Sequence, residues 1–355
     1  MRELYANVFH ALKDISFNEL WPGFSNFTFA LYNDQEIYFE DRVIPYESSF
    51  IGNTSIQYNG EFIAIWKVEN PNLENPLVLA ANIVHEMFHA FQYENQETRF
   101  PNNLIMLDYP NNLENYQLKF HENKLLVEAY KERGKDKKAE LFRQFIVIRK
   151  KRETIIGDMI QSEYLTETAE GMAEYMGTKT LRHLSPTLFE ERMDKFLHIL
   201  SNPSITLFDI RRMSYYIGTV LCLVLDDLGI PYNHKIGETT ETVFKLAEKQ
   251  IETGNLVYMD MNADPQIDVT YQQYMTSKTQ AFDDFFKKPH IKKVGNYQIY
   301  GYDPMNMIKK DNQILCTHFI MLRDKSDHNS FIKGPIVVEL VQGSISQATA
   351  YYQLT

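Results

Sequence analysis

Hydrophobic and polar residues follow two different periods along this chain. In the N-terminal part, Phe27–Tyr32 and Glu61–Val68 are rich in β-branched and aromatic residues and are bounded by Asn, Gly and Pro, which predicts two strands. A short amphipathic helix is predicted before them, around Tyr5–Ile15. Pro76 then stands where a first-turn proline belongs, and the pattern that follows predicts a long helix to about Glu94.

Helical periodicity returns over Leu113–Leu200, with breaks expected near Gly134 and at Ser185–Pro186. Asp209–Gly229 is predicted to form a buried helix that ends at its glycine. Two further helices are predicted, at about Glu238–Glu252 and Tyr271–Lys288.

Beyond Pro289 the helical pattern gives way to short strand-like runs separated by Gly, Pro, Asn and Asp. These runs predict a small all-β domain over residues 290–355. The chain is therefore expected to have an α+β fold in three parts. They are an N-terminal α/β lobe over 1–76, a mainly helical lobe over 77–289, and the C-terminal β-domain.

The 355 residues carry a formal net charge of −11, and 44% of them are hydrophobic. This composition is typical of a packed globular protein, and the acidity argues against nucleic acid or an anionic membrane as the main partner. The charge is uneven, because residues 114–152 contain 12 Lys/Arg and 6 Asp/Glu. This basic helical insert, at about 113–156, is interpreted as a solvated helical pair. A lid over a site and a hairpin that docks a partner are the alternatives.

Three features bear on the compartment of the protein. Residues 1–17 contain charged side chains and no continuous apolar segment, so no signal peptide is expected. The longest apolar run, Tyr215–Leu225, is too short to span a bilayer. Cys222 and Cys316 each lie within an apolar run and are expected to be buried thiols. The resulting prediction is a cytoplasmic protein without membrane contact.

An H-E-x-x-H pattern lies within the long helix that follows Pro76. His85 and His89, four residues apart, share one helical face and can direct both imidazoles at one metal ion. Glu86 lies beside this pair, where a carboxylate can act as general base toward a metal-activated water. The alternative interpretation is two hydrogen-bonded histidines on a half-buried helix. A catalytic zinc site also needs a third protein ligand, from elsewhere in the chain.

Four glutamates at helical spacing are candidates for that ligand: Glu163, Glu167, Glu170 and Glu174. A solvated acidic stripe is the alternative interpretation of this face. Glu170 is the favoured ligand because small residues at 169, 171 and 173 would let its helix approach the H-E-x-x-H helix closely. Glu174, one turn later, can accept a hydrogen bond from a ligating imidazole.

The H-E-x-x-H pattern, followed later by E-G-x-A-x-Y from position 170, resembles the gluzincins, the thermolysin-like branch of zinc peptidases. The resemblance implies that His85, His89 and Glu170 are the ligands of Zn²⁺. It implies that Glu86 is the general base and that Glu174 is the acidic residue that orients a ligand. It also implies a thermolysin-like zincin catalytic unit, here followed by the small β-domain.

A further match is Y-x-x-G at Tyr215–Gly218. Aminopeptidase-like gluzincins carry this motif on the next core helix. The resemblance therefore implies that Tyr215 stabilises the oxyanion of the tetrahedral intermediate, with Tyr216 as the alternative. It also implies that Glu61–Val68 is an edge strand along which an extended peptide can pair.

The predicted function is hydrolysis of peptide bonds in a peptide or protein substrate through a zinc-activated water. The G-x-M-E-N motif with which many aminopeptidases bind a free amino terminus is missing, so exopeptidase activity is not expected. Two alternatives stay open: a non-catalytic zincin-fold binding or regulatory module, and a zinc hydrolase of a non-peptide amide. The presence of Glu86 favours an enzyme over the first of these. None of the motifs predicts an oligomeric state.

Overall fold

The computed structural model describes residues 1–233, 236–252 and 263–355. Its N-terminal part contains α1 (Arg2–Lys13), α2 (Phe17–Leu20), β1 (Phe29–Tyr32), β2 (Glu36–Tyr38), β3 (Val43–Pro45), β4 (Thr54–Tyr58) and β5 (Glu61–Lys67). The two predicted strands are confirmed as β1 and β5, and the amphipathic helix as α1. The other three strands are short and carry too few alternating residues to stand out in the sequence.

The N-terminal sheet has the strand order β3-β2-β1-β5-β4. β1 and β5 pair in parallel, and the other neighbours are antiparallel. The prediction that Glu61–Val68 is an edge strand is wrong, because β4 pairs with the outer side of β5 and takes the edge itself. Side chains alternate between the two faces. Ala64 joins the main core with the helices, whereas Ile63 and Ile65 join a separate cluster.

The second part of the chain is helical. It contains α3 (Pro76–Glu94), α4 (Asn103–Met106), α5 (Leu113–Lys131), α6 (Lys135–Ile156), α7 (Ile160–Leu184), α8 (Pro186–Ser201), α9 (Ile210–Leu228), α10 (Val243–Glu248) and α11 (Pro265–Phe286). The predicted breaks at 134 and 185–186 are confirmed, since they separate α5 from α6 and α7 from α8. The helix predicted at about Glu238–Glu252 is shorter, because only the residues of α10 are helical.

Local capping explains the ends of the two best-predicted helices. At the start of α3, the Asn75 side chain accepts hydrogen bonds from two amides of the first turn, and Pro76 needs no donor there. At the end of α9, Gly229 has a φ of 73°, which is the left-handed conformation expected of a glycine C-cap. The start of α3 and the end of α9 are thus both determined by residues that adjoin them in the sequence.

Two close contacts bring α3, α7 and α9 together. A Cβ on Gly177 of α7 would lie 2.6 Å from the carbonyl oxygen of Ala81 on α3. A Cβ on Gly171 of α7 would lie 2.5 Å from the Cα atom of Gly218 on α9. The sequence predicts that small residues at 169, 171 and 173 let α7 approach α3 closely. This is wrong for position 171, which lies against α9. Gly177 makes a close approach to α3, and Gly171 allows α9 to lie against another side of α7.

The basic helical insert forms the hairpin of α5 and α6, and its inward side chains are buried. Arg152 pairs with Glu163, and Lys119 pairs with the same carboxylate. Arg149 donates to Glu167 at 2.6 and 2.9 Å. Each of these three cations has a relative exposure of 0%. The interpretations of the insert as a solvated helical pair, and of the glutamates before Glu170 as a solvated stripe, are therefore wrong.

The C-terminal part forms one antiparallel sheet. Its strands are β6 (His290–Tyr302), β7 (Met307–Lys310), β8 (Gln313–Cys316), β9 (Phe319–Asp324), β10 (Asn329–Lys333), β11 (Ile336–Leu340) and β12 (Gln347–Leu354), in the order β10-β9-β6-β12-β11-β8-β7. The prediction that residues 290–355 form only β-structure is confirmed in its outline, since this part of the chain forms a β-sheet. This β-domain packs on the helices: Leu104 of α4 lies in the core of the sheet, and Phe282 and Phe285 of α11 contact its other face.

Cys222 and Cys316 are both buried free thiols, as predicted. Within the described ranges, no helix combines the length and hydropathy that a membrane crossing requires.

Candidate metal centre

α3 and α7 bring three donor atoms together. The Nε2 atoms of His85 and His89 lie 3.2 Å apart, and Oε2 of Glu170 lies 3.1 Å from His89 Nε2 and 3.6 Å from His85 Nε2. Ligands that bind zinc tetrahedrally at about 2.0–2.1 Å lie about 3.3 Å from one another. The three atoms therefore form a triangle of the size that a tetrahedral zinc ion needs on one side.

The other ring nitrogen of each histidine is held by an acceptor. His85 Nδ1 lies 2.9 Å from Glu174 Oε2, and His89 Nδ1 lies 2.7 Å from Gln92 Oε1. With the ring protons donated there, the two Nε2 lone pairs face each other and Glu170. Such an arrangement is repulsive unless a proton or a metal ion lies between the three atoms, and it is the arrangement typical of metal-ligating histidines.

Gln92 is a site residue that the motif analysis missed. Its Nε2 donates to the carbonyl oxygen of Ala169 at 3.2 Å, so the amide links His89 on α3 to the turn of α7 that carries Glu170. The signal was its position three residues after His89, on the same helical face.

The electrostatics of the centre favour a positive charge. Burial alone would lower the pKa of His85, but hydrogen bonds to the Glu170 and Glu174 carboxylates raise it to about 10. Burial alone would raise the pKa of Glu170, but Arg211 and His89 hold it well below the ordinary value. Burial alone would also raise the pKa of Glu174, but its hydrogen bond with His85 lowers it. Both carboxylates are therefore anionic at neutral pH, and the centre attracts a proton or a metal cation.

Arg211 is a second residue that sequence reasoning missed. It donates to Glu170 Oε1 at 2.7 Å and to the Tyr215 hydroxyl at 3.2 Å, and it also donates to the Asn103 side chain. Because Arg211 holds Oε1, the other carboxylate oxygen of Glu170 is left for the histidines. The signal for Arg211 was its place one helical turn before Tyr215.

The structure places Tyr215, and not Tyr216, against the histidines. The rings of Tyr215 and His85 are stacked, with centroids 5.7 Å apart and planes 10° from parallel. Tyr216 lies on another side of α9, where its ring packs on Phe196 at 4.7 Å.

Glu86 lies on α3 and lines the same cleft as the histidines. Its carboxylate forms no hydrogen bond or ion pair with any described residue, so it is available to a molecule in the cleft. Burial raises its pKa, although the neighbouring His85 and His89 oppose the shift. A raised carboxylate pKa suits a group that takes up and releases a proton near neutral pH.

The cleft has a volume of about 710 Å³, and all three parts of the chain line it. Thr54, at the start of edge strand β4, and Trp66 on β5 form one wall. The β-domain contributes another wall through Tyr302, Met305 and Phe319. The β-domain is therefore part of the site and not a separate appendage.

No family model, curated protein sequence or solved structure matches this chain. A functional assignment has to come from the chemistry of the metal centre and its cleft. Among the described residues, His85, His89 and Glu170 are the group whose donor atoms lie close enough to hold one metal ion.

Proposed function

We propose that the protein is a zinc-dependent peptidase of the gluzincin type, built on a thermolysin-like catalytic unit. The observation that carries this proposal is the triangle of His85 Nε2, His89 Nε2 and Glu170 Oε2, with sides of 3.1–3.6 Å. These three side chains would hold Zn²⁺. The orientation of both imidazoles by Glu174 and Gln92 supports the same assignment.

A zinc ion, when bound, supplies Lewis acidity and makes a water molecule acidic enough to act as a nucleophile near neutral pH. Two side chains of the protein transfer the proton and stabilise the developing charge. The Glu86 carboxylate takes a proton from the attacking water and returns it to the leaving amine. The Tyr215 hydroxyl donates a hydrogen bond to the carbonyl oxygen of the substrate as that oxygen gains negative charge.

An extended peptide or protein segment is the proposed substrate, because a sheet edge reaches this cleft. One of the two edge strands of the N-terminal sheet is β4, whose first residue, Thr54, lines the cleft. Backbone groups at such an edge can pair with an added strand. The substrate is a polypeptide, and neither nucleic acid nor membrane takes part.

The test combines metal content with hydrolysis. We expect wild type to hold about one zinc ion per chain and Glu170→Ala to lose it, because a three-ligand site loses one ligand. Glu86→Gln keeps the zinc but hydrolyses a mixed peptide library at least about 10²-fold more slowly, because the general base is gone. The matched control is Glu190→Ala, an exposed glutamate on α8, which changes neither value.

The other outcomes separate the remaining hypotheses. If wild type binds no zinc, the proposal fails at its first step. Zinc binding with hydrolysis of small acyl amides, but of no peptide, indicates a hydrolase of a non-peptide amide. Zinc binding without any hydrolysis indicates a non-catalytic binding or regulatory module.

A further inference from the structure

A second cavity adjoins the metal cleft, and we call it the Lys278 cavity. It has a volume of about 480 Å³ and lies between the N-terminal end of α9, helix α11 and the β-domain. Four residues line both spaces: Asn103, Arg211, Pro304 and Met305. The Lys278 cavity therefore lies directly beside the space in which a substrate would meet the metal centre.

The lining of this cavity is strongly cationic, although the whole chain has a net charge of −11. Its charged side chains are four cations and one carboxylate: Arg211, Arg212, Lys278, Lys309 and Asp209. The carboxylate is already engaged, since Asp209 caps the N-terminus of α9 and accepts a hydrogen bond of 3.1 Å from Arg212. The N-terminal end of a 19-residue helix adds further positive potential.

Lys278 is the cation of this lining that is left for a ligand. Lys309 pairs with Asp108, Arg211 with Glu170 and Arg212 with Asp209. Lys278 forms no ion pair within 4 Å among the residues that the structure describes. The Asp311 charge acts on it from farther away, and its amine lies 5.4 Å from the centre of the Tyr274 ring.

Apolar side chains form much of the rest of the lining, among them Met106, Phe208, Ile308 and Leu315. Such walls suit the methylene groups of a side chain, while the cation at their edge suits a negatively charged end. In a partly desolvated cavity a carboxylate beside a cation is stabilised more than it is in open water.

We propose that the Lys278 cavity is a specificity subsite that receives a carboxylate of the polypeptide substrate, with Lys278 as the recognising cation. The carboxylate is either that of an Asp or Glu side chain near the cleaved bond or the C-terminal carboxylate of the substrate. This inference rests on the proposed peptidase function, which it refines by adding a substrate preference.

The test uses a panel of short peptides of one common sequence in which Glu, Gln or Lys replaces one residue at a time. Each peptide is made with a free and with an amidated C-terminus. Hydrolysis by wild type and Lys278→Glu is measured as kcat/KM, and binding of the same peptides to Glu86→Gln, with and without Lys278→Glu, is measured by calorimetry. Lys287→Glu is the matched control, since Lys287 caps the same helix and its side chain is 68% exposed.

We expect kcat/KM and affinity to be about tenfold higher for Glu than for Gln at one position, or for the free C-terminus than for the amidated one. An effect of about tenfold is a modest gain for one partly desolvated charge pair. Lys278→Glu abolishes that preference, and Lys287→Glu keeps it. A preference confined to the free-acid peptides identifies the C-terminal carboxylate, and one that survives amidation identifies a side chain.

Two results separate the fate of the subsite from that of the peptidase. In the first, the peptides are hydrolysed with no preference for a carboxylate, or with a preference that Lys278→Glu leaves unchanged. This result overturns the proposed subsite and leaves the proposed peptidase function standing. If no peptide is hydrolysed but the Glu86→Gln protein binds carboxylate peptides in a Lys278-dependent way, the subsite stands and the peptidase fails. If the peptides are neither hydrolysed nor bound selectively, both the subsite and the peptidase proposals are overturned.

Discussion

Tyr215 is held in place by two of its neighbours. Its ring stacks on the His85 imidazole, and its oxygen accepts a hydrogen bond from Arg211. Because that oxygen accepts from a guanidinium, the phenol O–H is left for an acceptor at the metal centre, such as Glu170 or a substrate carbonyl oxygen. Burial, and after it the Glu170 charge, raises the pKa of Tyr215 well above its ordinary value. The phenol therefore keeps its proton at neutral pH.

Replacing Tyr215 tests this role at the residue scale. Tyr215→Phe is expected to lower kcat about 10²–10³-fold, the usual effect of removing one oxyanion donor, with zinc content unchanged. Tyr216→Phe is the control, because it removes the same atom from the next residue, and it leaves kcat within about twofold of wild type. The measurement is steady-state kinetics on a single peptide. Equal decreases of kcat in both variants would contradict the assignment of Tyr215 as the oxyanion donor.

At the scale of elements, the site depends on how closely three helices approach. Glu170 on α7 has to reach α3, while Arg211 and Tyr215 reach both from α9. The contact of Gly171 with Gly218 sets the distance between α7 and α9, because neither position leaves room for a Cβ. The glycine in Y-x-x-G thus has a packing role beside the tyrosine.

Gly171→Ala is expected to force α7 and α9 apart. Overpacking of this kind costs about 1–3 kcal/mol of unfolding free energy, and the shift moves Glu170 away from Arg211. Thermal unfolding and zinc affinity, measured together, are expected to fall. Gly134→Ala is the control, since a Cβ there meets only the end of the flexible Glu132 side chain, at 3.3 Å. A Gly171→Ala protein with wild-type stability and zinc affinity would show that the helices tolerate the separation.

For the whole molecule, the buried ion pairs of α5, α6 and α7 join the basic hairpin to the helix that carries Glu170. Glu122 completes the group by accepting from Arg149 and Arg152 at 3.0 and 2.6 Å. Within this group, burial alone would raise the pKa of Glu163, but Arg152 and Lys119 hold it well below the ordinary value of 4.5. The ionised form of Glu163 is therefore stabilised in the folded state and not in the unfolded chain.

The lowered pKa of Glu163 makes the stability of the folded protein depend on pH. Because the folded-state pKa of Glu163 is lowered, its contribution to stability is complete above about pH 4.5 and is lost as the pH falls further. Glu163→Gln is expected to cost about 3–5 kcal/mol at pH 7, since it leaves buried cations unpaired. The variant also loses less stability than wild type below pH 4.5. Urea unfolding over a pH series measures both effects, and parallel curves for the two proteins would contradict this account.

An exposed glutamate provides the control for that series. Glu190→Gln removes a carboxylate of the same type from the surface of α8. Its unfolding free energy is expected to stay within about 0.5 kcal/mol of wild type, because exposed charges contribute little.

Much of the fold and the His85–His89 pair of the candidate metal centre could be predicted from the sequence because those signals were local, and Glu170 was predicted from its motif. Asn75 and Pro76 determine where α3 begins, and Gly229 determines where α9 ends. Four-residue spacing on one helix is enough to bring His85 and His89 together, since a helical turn fixes their relative positions. The strand-like texture after residue 289 likewise depended only on residues near one another.

Only the tertiary structure decided the features that join distant segments. Sequence periodicity cannot tell which strand of a sheet is outermost, so β4 took the edge expected of β5. Nor can it tell a solvated charge from a buried one, because Arg149 and Arg152 are buried by partners on other helices. Gln92 and Arg211 became site residues for the same reason. Each acts through a contact with α7, and such a contact exists only once the helices have packed.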